Sequence, residues 1–288
     1  LKNSIIMLLR EFRNDFRKSL SGIYDSHEVD SFFYLISKYF HQMSRVDLAL
    51  NPDFDITDIE VGKWKTIIAQ LQLQKPIQYI LGETEFFGLS FTVTSAVLIP
   101  RPETEELVDW ILKNNLDTSE KLQILDIGTG SGCIPISLAK NLENAKLSAI
   151  DVSTEALKIA AINAHRNSVE INFIEKDILK TNDLDKTYDI IVSNPPYVRE
   201  LEKQEMQKNV LEYEPHLALF VEDEDALIFY LKITQLASKS LSEGGQLYFE
   251  INQYLGTRML DLLNDYNFRD IELRKDIYGN DRMIFGRK

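Results

Sequence analysis

The sequence predicts an α/β fold for its larger part, a mostly parallel sheet covered by helices on both faces, preceded by a small all-α segment. Three observations predict it. From residue 122 onward apolar strand patterns alternate with helical ones, as expected of successive strand-helix-strand units. A glycine-rich stretch, Leu125-Asp-Ile-Gly-Thr-Gly-Ser-Gly132, falls between the first strand pattern and a helical one. The first 75 residues instead show helical apolar spacing and helix-start signals. At 288 residues and 44% hydrophobic content the chain can build one large and one small core.

The elements follow in order. Ile5, Leu8, Leu9, Phe12 and Phe16 keep the spacing of a helix face. Asp25 with Glu28 and Thr57 with Glu60 have capping-box spacing, each ahead of an apolar periodic run. Residues 1–80 are therefore read as an N-terminal helical domain, closed by Pro76. Glu85-Phe-Phe-Gly-Leu-Ser-Phe-Thr-Val93 alternates around Gly88 like a β-hairpin, so 81–100 are read as a hairpin linker and 101–288 as the second domain. Pro100-Arg-Pro-Glu-Thr-Glu-Glu106 sets prolines before an acid-rich first turn, and Leu107, Val108, Ile111 and Leu112 continue it as a helix. Strands are expected at 122–127, 146–151, 171–176, 188–193 and 246–251, with helices at 133–141, 153–166 and 225–241. The tail adds a helix near 254–265 and strands at 268–275 and 282–286, linked by a turn at Tyr278-Gly-Asn-Asp281. No internal repeat and no low-complexity segment occurs.

Charge and composition narrow the function. The net charge is −13, yet residues 1–80 carry ten basic and ten acidic side chains, so 81–288 hold all the excess negative charge. Such a surface repels phosphates and argues against a nucleic-acid substrate. No run of about 18 apolar residues occurs, and the opening Leu1-Lys-Asn-Ser4 lacks the succession of a secretory signal. A soluble, cytoplasmic, monomeric protein without a membrane partner is expected. A single cysteine, Cys133, and four histidines without ligand spacing predict no metal site. Cys133 itself is read as a small buried residue at a helix start, since nothing nearby would lower its pKa.

The glycine stretch places Gly128, Thr129, Gly130, Ser131 and Gly132 in a strand-to-helix turn, where bare backbone can approach a ligand at the carboxyl edge of the sheet. The spacing G-x-G-x-G, not G-x-G-x-x-G, favours a ligand without a pyrophosphate. Asp151 ends the next strand, where a carboxylate can accept both ribose hydroxyl hydrogens. Together these features indicate a nucleoside cofactor. Asp177 ends the third strand and has two readings: it meets an adenine amino group, with Ile178 as a wall of the slot, or it caps the loop that follows.

Asn194-Pro-Pro-Tyr197 follows directly on the strand Asp189-Ile-Ile-Val-Ser193. Adjacent prolines fix φ and remove two donors, which leaves nearby carbonyls pointing outward. An amide-like NH2 offers two hydrogens that need such acceptors. The Asn194 side-chain oxygen and the Pro195 carbonyl can take one each, with Pro196 stiffening the loop and the Tyr197 ring stacking on the planar group. Asn-Pro also starts ordinary turns and Pro-Pro stops strands, but here the motif sits where open α/β sheets place their ligands.

Asn-Pro-Pro-Tyr resembles the motif of class I enzymes that methylate exocyclic or amide nitrogens. Gln78-Tyr-Ile-Leu-Gly82, Glu85-Phe-Phe-Gly88, Leu98-Ile-Pro-Arg-Pro-Glu-Thr-Glu105, Asp126-Ile-Gly-Thr-Gly-Ser-Gly132 and Asn194-Pro-Pro-Tyr197 stand in the order found in the HemK/PrmC family of release factor glutamine methyltransferases. From about residue 76 to the end the chain is similar to that family. The resemblance implies a seven-stranded, Rossmann-like class I methyltransferase domain behind a helical N-terminal domain that docks the release factor. It further implies S-adenosyl-L-methionine as donor, S-adenosyl-L-homocysteine as product, and the glutamine of a Gly-Gly-Gln loop in peptide chain release factors as acceptor. Residues 128–132, Asp151 and Asn194 would touch the cofactor, and Asn194 to Tyr197 the glutamine. The chain departs from the family at Glu250-Ile-Asn252, where Glu-Ile-Gly is expected, and its first 75 residues match no motif.

Two further features have double readings. Arg101 and Glu103 to Glu106 can line the cleft, while an acid-rich first turn also simply complements the helix dipole. Residues 200–225 carry nine acids against two lysines and either steer a basic partner or form a solvated loop. A rival enzyme reading, an amino methyltransferase acting on adenine N6 or ribosomal RNA guanine N2, requires a basic groove and a base-reading insertion, and neither is apparent. A cofactor-binding scaffold without turnover would not need both halves of the site.

Overall fold

The computed structural model describes residues 6–116, 121–205, 208–221 and 226–288. The chain divides into two compact units, one reaching to Gly82 and including Lys208–Tyr213, the other comprising the rest.

The first unit is built on helices: α1 (Leu9–Leu20), α2 (Ser26–His41), α3 (Arg45–Leu50), α4 (Asp58–Gln72) and α5 (Ile77–Leu81). Thr57 and Glu60 form the expected capping box at the start of α4. Asp25 accepts from the His27 and Glu28 amides at the start of α2. Ser44 and Asp47 form a further box on α3, beyond those expected from the sequence. Phe12 and Phe16 on α1 meet Trp64 on α4 edge to face, with ring centroids 5.5 and 5.7 Å apart, and Phe16 meets Phe33 of α2 at 5.6 Å. Phe16 is fully buried, so truncating it to alanine costs roughly 3–5 kcal/mol.

The helical spacing does not extend as far back as expected. Ile6–Leu8 is a short strand, β1, paired antiparallel with β2 (Asp55–Thr57), and α1 begins only at Leu9. Pairing with a segment some fifty residues away overrides the local period, and the Leu9 amide donates to the Phe54 carbonyl at 2.9 Å to close the pair. Ile5 lies outside the described residues.

The second unit opens with a hairpin, β3 (Glu83–Phe86) and β4 (Leu89–Thr92). Phe87 and Gly88 both have positive φ, 50° and 71°, as a two-residue turn requires. The hairpin belongs to this unit and is pinned there by fully buried Asn163, whose Oδ1 accepts from the Thr92 amide at 2.6 Å and whose Nδ2 donates to the Thr92 and Ser131 carbonyls. Helix α6 (Pro102–Asn115) follows, with Pro102 in its first turn.

Strands β5 (Gln123–Ile127), β6 (Lys146–Asp151), β7 (Ile171–Glu175) and β8 (Tyr188–Ser193) then alternate with α7 (Cys133–Asn141) and α8 (Thr154–Arg166). After β8 the chain forms the short pieces β9 (Val198–Arg199), α9 (Lys208–Tyr213), α10 (His216–Leu219) and β10 (Phe220–Val221), with β9 and β10 paired in parallel. The sequence pattern predicts none of these four. It closes with α11 (Ile228–Ser240), β11 (Leu241–Glu250), α12 (Gly256–Asp265), β12 (Arg269–Lys275) and β13 (Asp281–Arg287). Six of the seven strands of the main sheet point the same way, in the order β12-β13-β11-β8-β5-β6-β7 with β13 antiparallel to both neighbours. The seven-stranded fold expected from the resemblance is present. Two apolar layers cover the sheet, one including Tyr230, Leu247 and Phe249, the other Trp110, Ile190 and Tyr248.

The topology fixes where a ligand can sit. From β5 the chain moves outward to β6 and β7, then returns to place β8 on the other side of β5. Where the winding reverses, the loops after β5 and β8 diverge and leave a crevice at the carboxyl edge. Ile127 and Ser193 are register partners there, and the Ser193 hydroxyl donates to the Ile127 carbonyl at 2.6 Å. The glycine loop follows one strand end and Asn194-Pro-Pro-Tyr197 the other.

Candidate active site

A cavity of about 370 Å³ opens at this switch point, large enough for a nucleoside-sized ligand. Gly128, Thr129, Gly130 and Ser131 form its floor, Asp151 one wall, and Asn194 and Pro196 the side toward β8. Gly128 and Gly130 have φ of 78° and 54° with open space where a Cβ would stand, so here the turn itself requires glycine. Gly132 serves packing instead. A Cβ there would lie 3.0 Å from Ile136 Cδ1 and 3.2 Å from Ala160 Cβ. Its absence lets α7 start hard against α8, and Gly132 does not line the cavity.

Asp151 already braces the loop. Its Oδ2 accepts from the Gly130 amide at 2.8 Å and its Oδ1 from the Ser153 amide at 2.9 Å. Each oxygen keeps a second lone pair for a ligand hydroxyl. Beneath the loop Asp126 is completely buried, and neither of its oxygens, nor the Thr129 hydroxyl, makes a well-formed hydrogen bond. Burial pushes the Asp126 carboxyl up to about 7, with Thr129 opposing and the Asp151 charge adding to the rise. Two carboxylates under one loop make a site suited to a cationic ligand, whose charge would lower the cost of ionising Asp126.

Asp177 and Ile178 are not brought to the cavity. Asp177 accepts from the Leu179 amide at 3.0 Å and pairs with Lys180 at 2.8 Å, and Ile178 is buried in the core. The cap is thus the reading of Asp177 that the geometry realises, because a turn of 3-10 helix at Ile178–Lys180 supplies the amide it needs. Cys133 is buried and its thiol is pushed up to about 12 by burial, so it is no nucleophile. Among the described residues no group of three or more histidine, cysteine or acidic side chains could hold a metal ion, and no helix is long and apolar enough to cross a membrane.

Asn194 stands at the border of this cavity and a small adjoining one of about 50 Å³, which Tyr197, Arg101 and Glu250 help to line. Pro195 is buried and lines neither. A hydrogen-bond relay fixes the Asn194 amide. The Thr104 hydroxyl donates to Glu250 Oε2 at 2.6 Å, so its oxygen is left to accept, and Asn194 Nδ2 donates to it at 3.3 Å. With Nδ2 committed, Oδ1 is the atom offered to a substrate. Half-buried Tyr197 donates its hydroxyl to the other Glu250 oxygen at 3.2 Å. Burial raises both Glu250 and Tyr197, and the Glu250 charge raises Tyr197 further, so the phenol stays protonated. Glu250 is fully buried at the end of β11, bonded to the Tyr197 hydroxyl directly and joined to the Asn194 amide through Thr104.

Asn252 supports the loop from behind. Its Nδ2 donates to the Tyr197 carbonyl at 3.1 Å and to Glu202 Oε2 at 2.9 Å, contacts that a glycine could not make. Arg101 lines both cavities and pairs with buried Glu214, whose Oε2 also accepts from the Ile99 amide. Glu105 and Glu106 are structural, accepting from the Phe87 and Ile277 amides.

Comparison with known proteins fits this geometry. Residues 11–82 match the family model of the PrmC N-terminal domain, and residues 109–216 that of the methyltransferase small domain. A release factor glutamine methyltransferase of Flavobacterium psychrophilum is 62% identical over 280 residues, 96% of this chain and 98% of that one. The chain belongs to the release factor glutamine methyltransferase family. A second such methyltransferase, from Bacteroides thetaiotaomicron, is 47% identical over 93% of this chain and 96% of its own length. The crystal structure of a methyltransferase from Pyrococcus furiosus shares the fold, with a TM-score of 0.52 at 20% identity, covering 76% of this chain and 96% of that one.

In this release factor glutamine methyltransferase family member, sequence reasoning placed Thr104 within a stretch able to line the cleft but gave it no role of its own, and it missed Glu250 as part of the site. It also missed Leu217, Ala218 and Phe229, which line the large cavity from segments not recognised as belonging to it. The Leu98-Ile-Pro-Arg101 motif was a signal for part of the same cavity: Leu98, Pro100 and Arg101 all line it.

Proposed function

We propose that the chain methylates the N5 side-chain amide of the glutamine in the Gly-Gly-Gln loop of peptide chain release factors, producing N5-methylglutamine and S-adenosyl-L-homocysteine. The observation that carries this reading is Asn194, set between a nucleoside-sized cavity and a small one with its amide oxygen turned out by the Thr104 relay. An amide nitrogen is a poor nucleophile because its lone pair is delocalised, so catalysis consists mainly in holding its hydrogens and its orientation. Asn194 Oδ1 takes one hydrogen, and the Tyr197 ring stacks on the amide plane; Pro195, buried and lining neither cavity, stiffens the loop and does not reach the acceptor. S-adenosyl-L-methionine supplies an electrophilic sulfonium methyl. Gly128 to Ser131 bring bare backbone to the ligand, Asp151 takes its ribose hydroxyls, and the buried Asp126 favours its positive charge. No strong base is needed before attack, since the nitrogen becomes acidic only as the methyl arrives. The first unit would dock the release factor.

The test is label transfer from radiolabelled S-adenosyl-L-methionine to a purified release factor, a Gln→Ala variant of its loop, DNA and ribosomal RNA. Label on the unsubstituted factor alone is expected. Label on a nucleic acid alone would overturn the reading.

A further inference from the structure

The first unit holds a cavity of its own, about 290 Å³, between α1, α2 and the segment around α3. Three arginines line it, Arg10, Arg13 and Arg45, and no acidic side chain does. Its remaining walls are largely apolar or aromatic, among them Phe33, Tyr34 and Phe54. The arginines are not neutralised alike. Arg10 pairs with exposed Asp53 at 3.2 Å. Arg13 shares Asp30 with Arg17, which with Arg13 holds that carboxyl down at about 2. Yet Arg13 Nε is buried without a hydrogen-bond partner. Among the described residues Arg45 has no carboxylate partner, and its guanidinium rests on the Tyr34 ring, 5.4 Å from the centroid. The Arg13 guanidinium lies over the same ring, 4.9 Å from its centroid, and its Nη2 donates to the Tyr34 hydroxyl at 2.7 Å.

A buried Arg13 N–H without an acceptor, beside an exposed Arg45 guanidinium that has no carboxylate partner among the described residues, makes a site that can take an anion. Both guanidinium groups lie over the Tyr34 ring, and the Tyr34 hydroxyl further holds Arg13, which limits the freedom lost when an acceptor arrives. A carboxylate suits the fork geometry of arginine, and the apolar walls suit the side chain that carries it. Arginine beside tyrosine and phenylalanine in a pocket is also the usual composition of an energetic centre in a protein interface. We propose that this pocket receives an acidic side chain of the protein substrate and so supplies docking affinity remote from the methylated glutamine. The proposal rests on the reading of the substrate given above. A nucleic-acid phosphate is the less fitting occupant, because three arginines clustered in a segment whose residues 1–80 carry ten basic and ten acidic side chains offer no basic track for a backbone.

The experiment uses the full chain with Arg45→Glu and Arg10→Glu. A glutamate at position 45, the first residue of α3, suits the helix dipole, so folding should survive, and an unchanged Tm checks it. For an intact release factor KM should rise about tenfold or more, the loss of a charge-assisted contact, with kcat within about twofold. For a short Gly-Gly-Gln peptide both constants should stay as they are. In parallel, N-acetyl-Glu-Tyr-Glu-amide titrated against the labelled protein should shift the Arg13 and Arg45 Nε–H resonances, and the Arg45→Glu variant should lose the response. An unchanged KM for the intact factor in folded variants overturns the docking proposal, as does equal impairment with the peptide. Resonance shifts with inorganic phosphate but none with the acidic peptide assign the pocket to phosphate and overturn it too. If the unsubstituted protein methylates no release factor, the substrate reading fails, and the peptide titration alone decides whether the pocket binds carboxylates.

Discussion

Replacing Thr104 by valine keeps the shape of the side chain and deletes the hydroxyl that joins Asn194 to Glu250. Thr104 is buried and makes two bonds, 2.6 Å to the Glu250 carboxylate and 3.3 Å from the Asn194 amide. The first is short and charge-assisted, so stability should fall by about 1.5–3 kcal/mol. The second is long and neutral, worth about 1 kcal/mol, and it is the bond that keeps Oδ1 rather than Nδ2 toward the acceptor. Removing that bias should lower kcat about five- to tenfold, since each 1.4 kcal/mol is a factor of ten. Thr104→Ser retains the hydroxyl and should keep kcat within about threefold. The assay is steady-state transfer from radiolabelled S-adenosyl-L-methionine to a release factor, with Tm measured on each variant. Equal losses for valine and serine would show that packing and not the hydrogen bond matters. A valine variant with lowered Tm but full kcat would refute the relay.

Further outcomes follow from the same geometry. Asp151→Ala removes the acceptor of two loop amides as well as of the ribose, and isothermal titration should show cofactor affinity falling on the order of 10²-fold. A carboxyl with a native pKa of about 7 against an ordinary 3.8 holds an extra proton in the folded state between those values. Stability of the ligand-free protein should therefore fall as pH rises from about 4 to about 7, and Asp126→Asn should flatten that slope in denaturant titrations. The cationic cofactor should bind more tightly as pH rises through the same window, with proton release detectable by calorimetry in buffers of different ionisation enthalpy. Gly132→Ala places a Cβ 3.0 Å from Ile136 at φ +80°, and chemical denaturation should show a loss of about 1–3 kcal/mol.

The parts of the site that could be read from sequence are those in which one short segment does the whole job. Gly128 and Gly130 make their turn within five residues, and Asn194-Pro-Pro-Tyr197 carries its own rigidity. Glu250 and Thr104 could not be found that way: they lie 146 positions apart and become functional only when β11 and α6 deliver them to the same loop. Asn252 was visible as a departure from the family motif, but its contact with the Tyr197 carbonyl depends on how the loop after β8 folds back. The central strands β5 and β8 were legible because strands buried on both faces read as short, largely apolar runs. The pair β1 and β2 was not, because three-residue strands leave no period to detect. Of the acidic segment 200–225, residues 206–207 and 222–225 lie outside the described residues. Of the rest, Glu214 is buried against Arg101 and Glu202 meets Asn252, structural roles that net charge gives no hint of.

The claim on which the account turns is that Asn194 grips the acceptor amide beside the cofactor cavity. Mass spectrometry of a release factor incubated with S-adenosyl-L-methionine and either the unsubstituted protein or its Asn194→Ala variant tests it directly. A single methyl on the glutamine of the Gly-Gly-Gln loop is expected, with the variant slower by on the order of 10²-fold or more while still folded and still binding cofactor. Near-normal methylation by Asn194→Ala, or a methyl placed on any other residue, would contradict it.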